Sequence, residues 1–250
     1  EQCVIGGDGR ADTPGHCAKY GSYTVMDLKR RQILDTQLVQ SNEVGGSYHM
    51  ELEGMKRCLA RLQESSVEIE AVVTDRHKQI AKWLREEKGN VTHYTDIWHC
   101  AKGNRKKWEA AAKLKGCTEI GPWIRSATNH LYWCTVSTPG LDEASKAMRK
   151  AKWLSISNHM VNQHTGHGEP FTKCAHRRLR RADRKKAWID PSKSPLFLKL
   201  EELVFNKYLL KDLATLSPHY QTYDLEAFHS LLNQFAPKMT AFHFQAMNGR

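Results

Sequence analysis

No run of 18 or more apolar residues occurs in the sequence, so no segment has the length and character to cross a bilayer as a helix. Nothing at the start reads as a signal peptide, and a strand-like run begins within three residues of Glu1. A first residue that is Glu and not Met reads as a chain beginning inside a longer protein. The seven Cys, at positions 3, 17, 58, 100, 117, 134 and 174, are odd in number and scattered, which is the pattern of reduced thiols and not of a secreted disulfide framework. Acidic residues are short as well, 27 against 38 Lys and Arg. The resulting net charge of +11 and isoelectric point near 9.3 point to polyanionic partners, nucleic acid first among them. A hydrophobic fraction of 40% and seven Trp exclude a disordered chain, and 250 residues suffice for one large domain or a core domain with an insertion.

The stretch from Glu70 to His99 organises the chain. Ile69, Ala71, Val72 and Val73 form a short apolar run that reads as a buried strand and delivers Asp75 to its end. A helical segment follows with Ile80, Trp83, Leu84 and Glu87 near one face, and a second β-type run over 91–94 delivers Asp96. Acids at the carboxyl ends of two strands joined by a helix point to parallel strands with a site in the crevice beyond them. The competing reading is that each Asp caps the helix after it. Cys3-Val4-Ile5 leads into Gly6-Gly7-Asp8-Gly9-Arg10, so a third carboxylate, Asp8, ends a strand there, unless the Asp-Gly pair is an ordinary hairpin turn. Residues 22–28 and 33–39 alternate as an antiparallel pair. Leu52, Met55, Leu59 and Leu62 then mark one face of a crossover helix.

His99 lies three residues past Asp96, and on a helix the two would be neighbours. A basic segment over 102–115 continues in helical composition. Residues 116–217 read as a separate, mostly helical and basic segment broken at Pro122, Thr138-Pro139-Gly140, Pro191 and Pro195. Its densest stretch, Arg177-Arg178-Leu179-Arg180-Arg181 and then Arg184-Lys185-Lys186-Ala187-Trp188, reads as a phosphate-backbone contact, against the plainer reading of a solvated face. His130, Cys134, Cys174 and His176 in the same segment suggest a structural Zn²⁺ site, although the spacing matches no standard finger; His159, His164 and His167 lie between them. The competing reading places the Cys in the core and the His on the surface. The last helix carries Leu225, Phe228, Leu232 and Phe235 on one face, with Asp224 as cap and Pro237 as stop. Glu226 and His229, one turn apart, lie on the flank of that face.

Three antiparallel strands, a helix, two further strand–helix pairs, a large helical insertion and a closing helix is the order of the ribonuclease H-like α/β fold, a mixed sheet with flanking helices. The expected domains are a catalytic core over 1–115 and 218–250 and a basic helical insertion over 116–217. The motifs Gly7-Asp8-Gly9-Arg10-x-Asp12-x-Pro14-Gly15, Ala18-Lys19-Tyr20-Gly21, Thr74-Asp75-Arg76-His77, Asp96-Ile97-Trp98-His99-x-Ala101-Lys102, Lys173-Cys174-Ala175-His176 and Leu225-Glu226-x-x-His229-Ser230-Leu231-Leu232 together resemble the catalytic region of DDE cut-and-paste DNA transposases, in particular the Kolobok-type, THAP-associated group. The resemblance covers nearly the whole chain, without the amino-terminal THAP-type domain that the group usually carries.

The resemblance implies a metal-binding and catalytic triad of Asp8, Asp75 and Glu226. It also implies that Asp96-x-x-His99 is the signature several of these superfamilies place between the second and third acids. Three carboxylates suit two Mg²⁺ or Mn²⁺ ions, which prefer oxygen ligands; His99 is then expected to orient Asp75 or touch the scissile phosphate and not to bind metal. Further implications are DNA as partner, both transposon ends and target, a homo-oligomer among the assemblies to expect, a nuclear location and no membrane. Two other readings share these residues: a catalytically inactive or domesticated DNA-binding derivative, and a nuclease that only hydrolyses.

Overall fold

Residues 2–13, 17–180, 187–240 and 242–249 are described by a computed structural model. Pro14 and Gly15 of the glycine-rich motif, and Arg181, Arg184, Lys185 and Lys186 of the basic run, lie outside the described residues. Packing divides the chain into two units, Glu1–Asp96 with Tyr220–Arg250, and Ile97–His219.

In the first unit the apolar and alternating runs become β1 (Cys3–Ala11), β2 (Tyr20–Asp27), β3 (Gln32–Gln40), β4 (Ile69–Thr74) and β5 (Thr92–Thr95), joined into one mixed sheet of order β3-β2-β1-β4-β5. β1, β2 and β3 pair antiparallel, whereas β1–β4 and β4–β5 are parallel. Parallel neighbours need crossovers. α1 (Met50–Glu64) carries the chain from the edge strand β3 to β4, and α2 (Lys78–Glu87) links β4 to β5. Side-chain alternation gives each face its own packing. Cys3, Ile5, Tyr23, Val25 and Val72 point to Met55, Cys58, Leu59 and Leu62 of α1 and to Ile80, Trp83 and Leu84 of α2. Val4, Ala71 and Val73 form the opposite face. Glu87, expected beside Trp83 and Leu84, is exposed.

β1 corrects one expectation. The strand does not end at Asp8; it runs on to Ala11, and Asp8 pairs with Thr24 of β2. Antiparallel pairing with β2, which continues to Ala11 after the register with β4 has ended at Gly7, outweighs the weak strand propensity of the glycines, and the Asp-Gly hairpin reading fails with it.

The second unit is helical: α3 (Ile97–Ala112), a 3₁₀ turn at Thr118–Trp123, α4 (Ile124–Val136), α5 (Glu143–Met160), α6 (Ser194–Val204) and α7 (Lys207–Asp212). Its boundaries fall at Asp96/Ile97 and His219/Tyr220 and not at 115/116 and 217/218. The basic segment expected with the core forms α3, which buries Cys100, Ala101, Trp108 and Ala111 in the same cluster as Trp123, Leu131, Trp153 and Leu200. Trp153 donates from Nε1 to the Val204 carbonyl at 2.9 Å.

The chain returns to the first unit in α8 (Tyr223–Phe235), which packs on β1 and β2, and ends with α9 (Phe244–Asn248). Its inward side differs from the apolar stripe in the sequence. Leu225 and His229 are buried, Asn233 is partly buried and Phe235 is 54% exposed. The helix turns this way because the sheet surface beneath it is polar. Arg10 donates from Nε to Asn233 Oδ1 at 2.9 Å and from Nη2 to the Ala236 carbonyl, and Asp8 and Thr24 meet His229. Thr222, not Asp224, is the N-cap residue; Asp224 sits inside the first turn and pairs with Arg31 at 3.0 Å.

Candidate active site

β1 and β4 lie side by side, with Gly7 opposite Thr74 at the end of their parallel register. The next residue on each strand is a carboxylate, Asp8 on β1 and Asp75 just past the end of β4. Two acids far apart in the sequence thus become neighbours, which no local pattern could achieve.

Each carboxylate is held. Asp8 Oδ1 accepts from the Gly9 N–H at 2.9 Å, and Oδ2 lies 3.2 Å from His229 Nδ1. His229 Nε2 lies 3.1 Å from the Thr24 hydroxyl, which in turn accepts from the Thr36 hydroxyl at 3.3 Å. The chain Thr36 to Thr24 to Nε2 leaves the imidazole proton on Nδ1, where it is donated to Asp8. Asp75 Oδ1 accepts from the His77 N–H at 3.0 Å. The N-cap of α2 is His77, whose Nδ1 accepts from the Ile80 N–H, and not Asp75. Thr74, beside it, donates its hydroxyl to the Asp75 carbonyl at 3.0 Å and meets His93 Nε2 at 2.9 Å; burial holds the His93 imidazole down to about 4.

A carboxylate not singled out in the sequence joins them. Glu51, in the first turn of α1, is pushed up to about 7 by burial and by the charges of Asp75 and Asp8. His77 Nε2 lies 3.6 Å from its Oε2, and burial lowers the His77 imidazole, so the ring offers Glu51 little positive charge near neutral pH. Tyr23 sits among the same three acids: its phenol is raised by burial and by Asp8, Asp75 and Glu51, and its buried Oη has no hydrogen-bond partner among the described residues. The glycines around Asp8 make this closeness possible. A Cβ on Gly7 would stand 2.4 Å from Tyr23 Oη, and one on Gly9 would stand 2.6 Å from Glu51 Cγ. Glu51 had a signal in the sequence, since positions 51, 55, 58 or 59, and 62 form one helical stripe, and an acid within an apolar stripe is anomalous.

The other expected residues fall as follows. Glu226, half-buried, precedes His229 by one turn on α8, the helix whose His229 is bonded to Asp8. Asp96 is fully buried, donates its N–H to the Thr74 carbonyl at 2.8 Å and accepts from the Thr222 hydroxyl at 2.7 Å, so it pins the start of α8. His99 lies on α3, in the helical unit, edge-on to Trp98 with ring centroids 4.8 Å apart. No protein-family model matches this chain, and no curated protein matches it either. Function must therefore be read from the chemistry of these side chains.

The donor set fits a hard divalent cation. Carboxylate oxygens are the preferred ligands of Mg²⁺ and Mn²⁺, and a crowd of acids that suppresses the ionisation of its own member is the electrostatic condition that a cation relieves.

The expected zinc quartet is not assembled. His130 is half-buried, donates from Nε2 to the Lys152 carbonyl at 2.7 Å and stacks on Trp133. Cys134 is fully buried in the apolar core. Both were expected as ligands because they share a face of α4, but that face points inward. Cys174 and His176 gather instead with His159 and His164.

Proposed function

We propose that this chain is the catalytic region of a divalent-metal-dependent DNA transposase, built on a ribonuclease H-like sheet, with Asp8, Asp75 and Glu226 as the principal acids and Glu51 as a further carboxylate beside them. The observation that carries the reading is the convergence of Asp8 and Asp75 on Glu51, whose carboxyl is pushed up to about 7. Bound Mg²⁺ or Mn²⁺ would activate an oxygen nucleophile and stabilise the leaving oxygen of a phosphodiester.

The chain's own residues do the positioning. His229 Nδ1–H and the Gly9 N–H orient the two oxygens of Asp8, and the His77 N–H orients Asp75. Asp96 fixes Thr222 and with it the entry of α8, which carries Glu226. The net charge of +11 supports DNA as the partner, and with DNA as substrate the site of action is the nucleus.

The test is a Mg²⁺- or Mn²⁺-dependent cleavage and strand-transfer assay on DNA carrying the element's own ends. The expected result is cleavage and joining by the wild type, with both lost in Asp8→Asn, Asp75→Asn and Glu226→Gln, because neutral amides are poor ligands for these cations. Cleavage by Asp75→Asn at the wild-type rate refutes the assignment. Cleavage without joining replaces it with a hydrolytic nuclease, and DNA binding without cleavage replaces it with a noncatalytic derivative.

A further inference from the structure

The second unit holds a cluster that the phosphodiester chemistry does not use. One nitrogen each from His159, His164 and His176 and the sulfur of Cys174 all lie within 4.8 Å of one another. His159 closes α5, and a short hairpin follows in which the Cys174 N–H donates to the His164 carbonyl at 2.9 Å and Thr165 bridges to Lys173. This local pairing brings His164 and Cys174 together across the hairpin and sets His176 beside them.

Three of the ligand–ligand distances match the edges of a tetrahedron around an ion, and the remaining pairs lie within 4.8 Å. Zinc at 2.0–2.1 Å from nitrogen and 2.3 Å from sulfur requires ligand atoms about 3.3 to 3.4 Å apart for two nitrogens and about 3.5 to 3.6 Å for nitrogen and sulfur. The structure has His164 Nδ1 to His176 Nε2 at 3.3 Å, His159 Nδ1 to Cys174 Sγ at 3.5 Å and His164 Nδ1 to Cys174 Sγ at 3.6 Å.

The outer hydrogen bonds set the tautomers in the same sense. His164 donates from Nε2 to Asn162 Oδ1 at 3.0 Å, and His176 donates from Nδ1 to the Arg177 carbonyl at 2.7 Å. In the neutral rings these bonds leave the lone pairs of His164 Nδ1 and His176 Nε2 facing one another, an arrangement that repels unless a cation stands between them. Asn158 Nδ2 donates to His167 Nδ1 at 3.2 Å, which puts the proton of His167 on Nε2, 3.1 Å from Cys174 Sγ, where it can be donated to a thiolate.

We infer that His159, His164, Cys174 and His176 form a structural zinc site that ties the end of α5 to the chain leading into the basic residues Arg177, Arg178 and Arg180. Four protein ligands close the coordination sphere, and three imidazoles with one thiolate select Zn²⁺ over Mg²⁺ or Mn²⁺. The zinc site is independent of the transposase reading, because it rests on the helical unit alone.

The experiment uses the whole chain, purified without chelator, with metal content measured by elemental analysis and replacement by Co²⁺ followed by visible and near-ultraviolet absorption. The expected result is one zinc per chain. The cobalt form should show the intense d–d bands of a tetrahedral site and a thiolate-to-cobalt charge-transfer band. Cys174→Ser should lose that band, and Cys17→Ser, which alters an exposed thiol elsewhere, should keep it. His167→Ala should keep the tetrahedral spectrum but weaken zinc retention against a competing chelator by about 10- to 100-fold, as for a residue that positions a ligand. If Cys174→Ser does not fold, the wild-type measurements decide alone. Folded wild type without stoichiometric zinc, an octahedral cobalt spectrum, or a charge-transfer band that survives in Cys174→Ser overturns the proposal.

Discussion

Glu51 shows how a single side chain reports on its surroundings. Its carboxyl has an ordinary value of 4.5 and is pushed up to about 7 in the folded protein by burial and by Asp75 and Asp8. Between those values the folded state holds a proton that the unfolded state has released, so stability falls as pH rises through this window and the full penalty remains above it. Without metal, Glu51→Gln should therefore flatten this part of the stability–pH profile and melt at a higher temperature than wild type at about pH 8, while the two converge below the ordinary carboxyl value. Thermal melts of both proteins across this range check it. Added Mn²⁺ at the alkaline end should raise the wild-type midpoint more than that of Glu51→Gln. A wild-type profile parallel to that of the variant would mean that Glu51 ionises as an exposed acid does.

At the scale of elements, α8 is docked by polar contacts as much as by apolar ones. Asn233 accepts from the buried guanidinium of Arg10, while Leu231 is 49% exposed. Removing one partner of a buried charged donor costs about 1 to 3 kcal/mol, whereas changing an exposed side chain usually stays within about 0.5 kcal/mol. Asn233→Ala should thus lower the urea midpoint clearly and Leu231→Ser should leave it nearly unchanged; the reverse order would make the face that bears Leu231 the docking face. In the helical unit α5 carries a comparable anchor. Arg149 is fully buried and donates to the carbonyls of Thr138, Gly140, Leu213 and Leu216, which ties the turn after α4 to the segment after α7. Arg149→Met keeps much of the packing but strands those carbonyls, and a loss of about 3 to 5 kcal/mol is expected from equilibrium denaturation.

For the whole molecule the dominant quantity is charge. A net +11 gives long-range attraction for a polyanion, and Arg177, Arg178 and Arg180 stand exposed directly after the His/Cys cluster. Replacing all three with Ala should weaken binding to DNA of any sequence alike and make the slope of log K against log salt shallower by about 0.9 for each phosphate that is no longer neutralised. Fluorescence anisotropy over a range of salt concentrations measures this, and an unchanged slope would make the run a solvated face.

The sequence by itself determined roughly where the five strands and the helices α1, α2 and α8 run, that Asp75 and Asp96 stand just past the ends of β4 and β5, and that Cys174 and His176 belong to one cluster. These follow from periodicity and from neighbours a few positions apart, and such interactions survive whatever the rest of the chain does. Tertiary structure decided the remainder. It carried β1 through Asp8, because the antiparallel pairing with β2 continues to Ala11 and outweighs local glycine propensity. It brought Glu51 and Tyr23 to Asp8 and Asp75, turned α8 onto His229 and Asn233, and gave Cys174 the partners His159 and His164 in place of His130 and Cys134. Each of these depends on which distant surfaces meet, and on the polarity of the surface met, quantities that no stretch of sequence carries within itself.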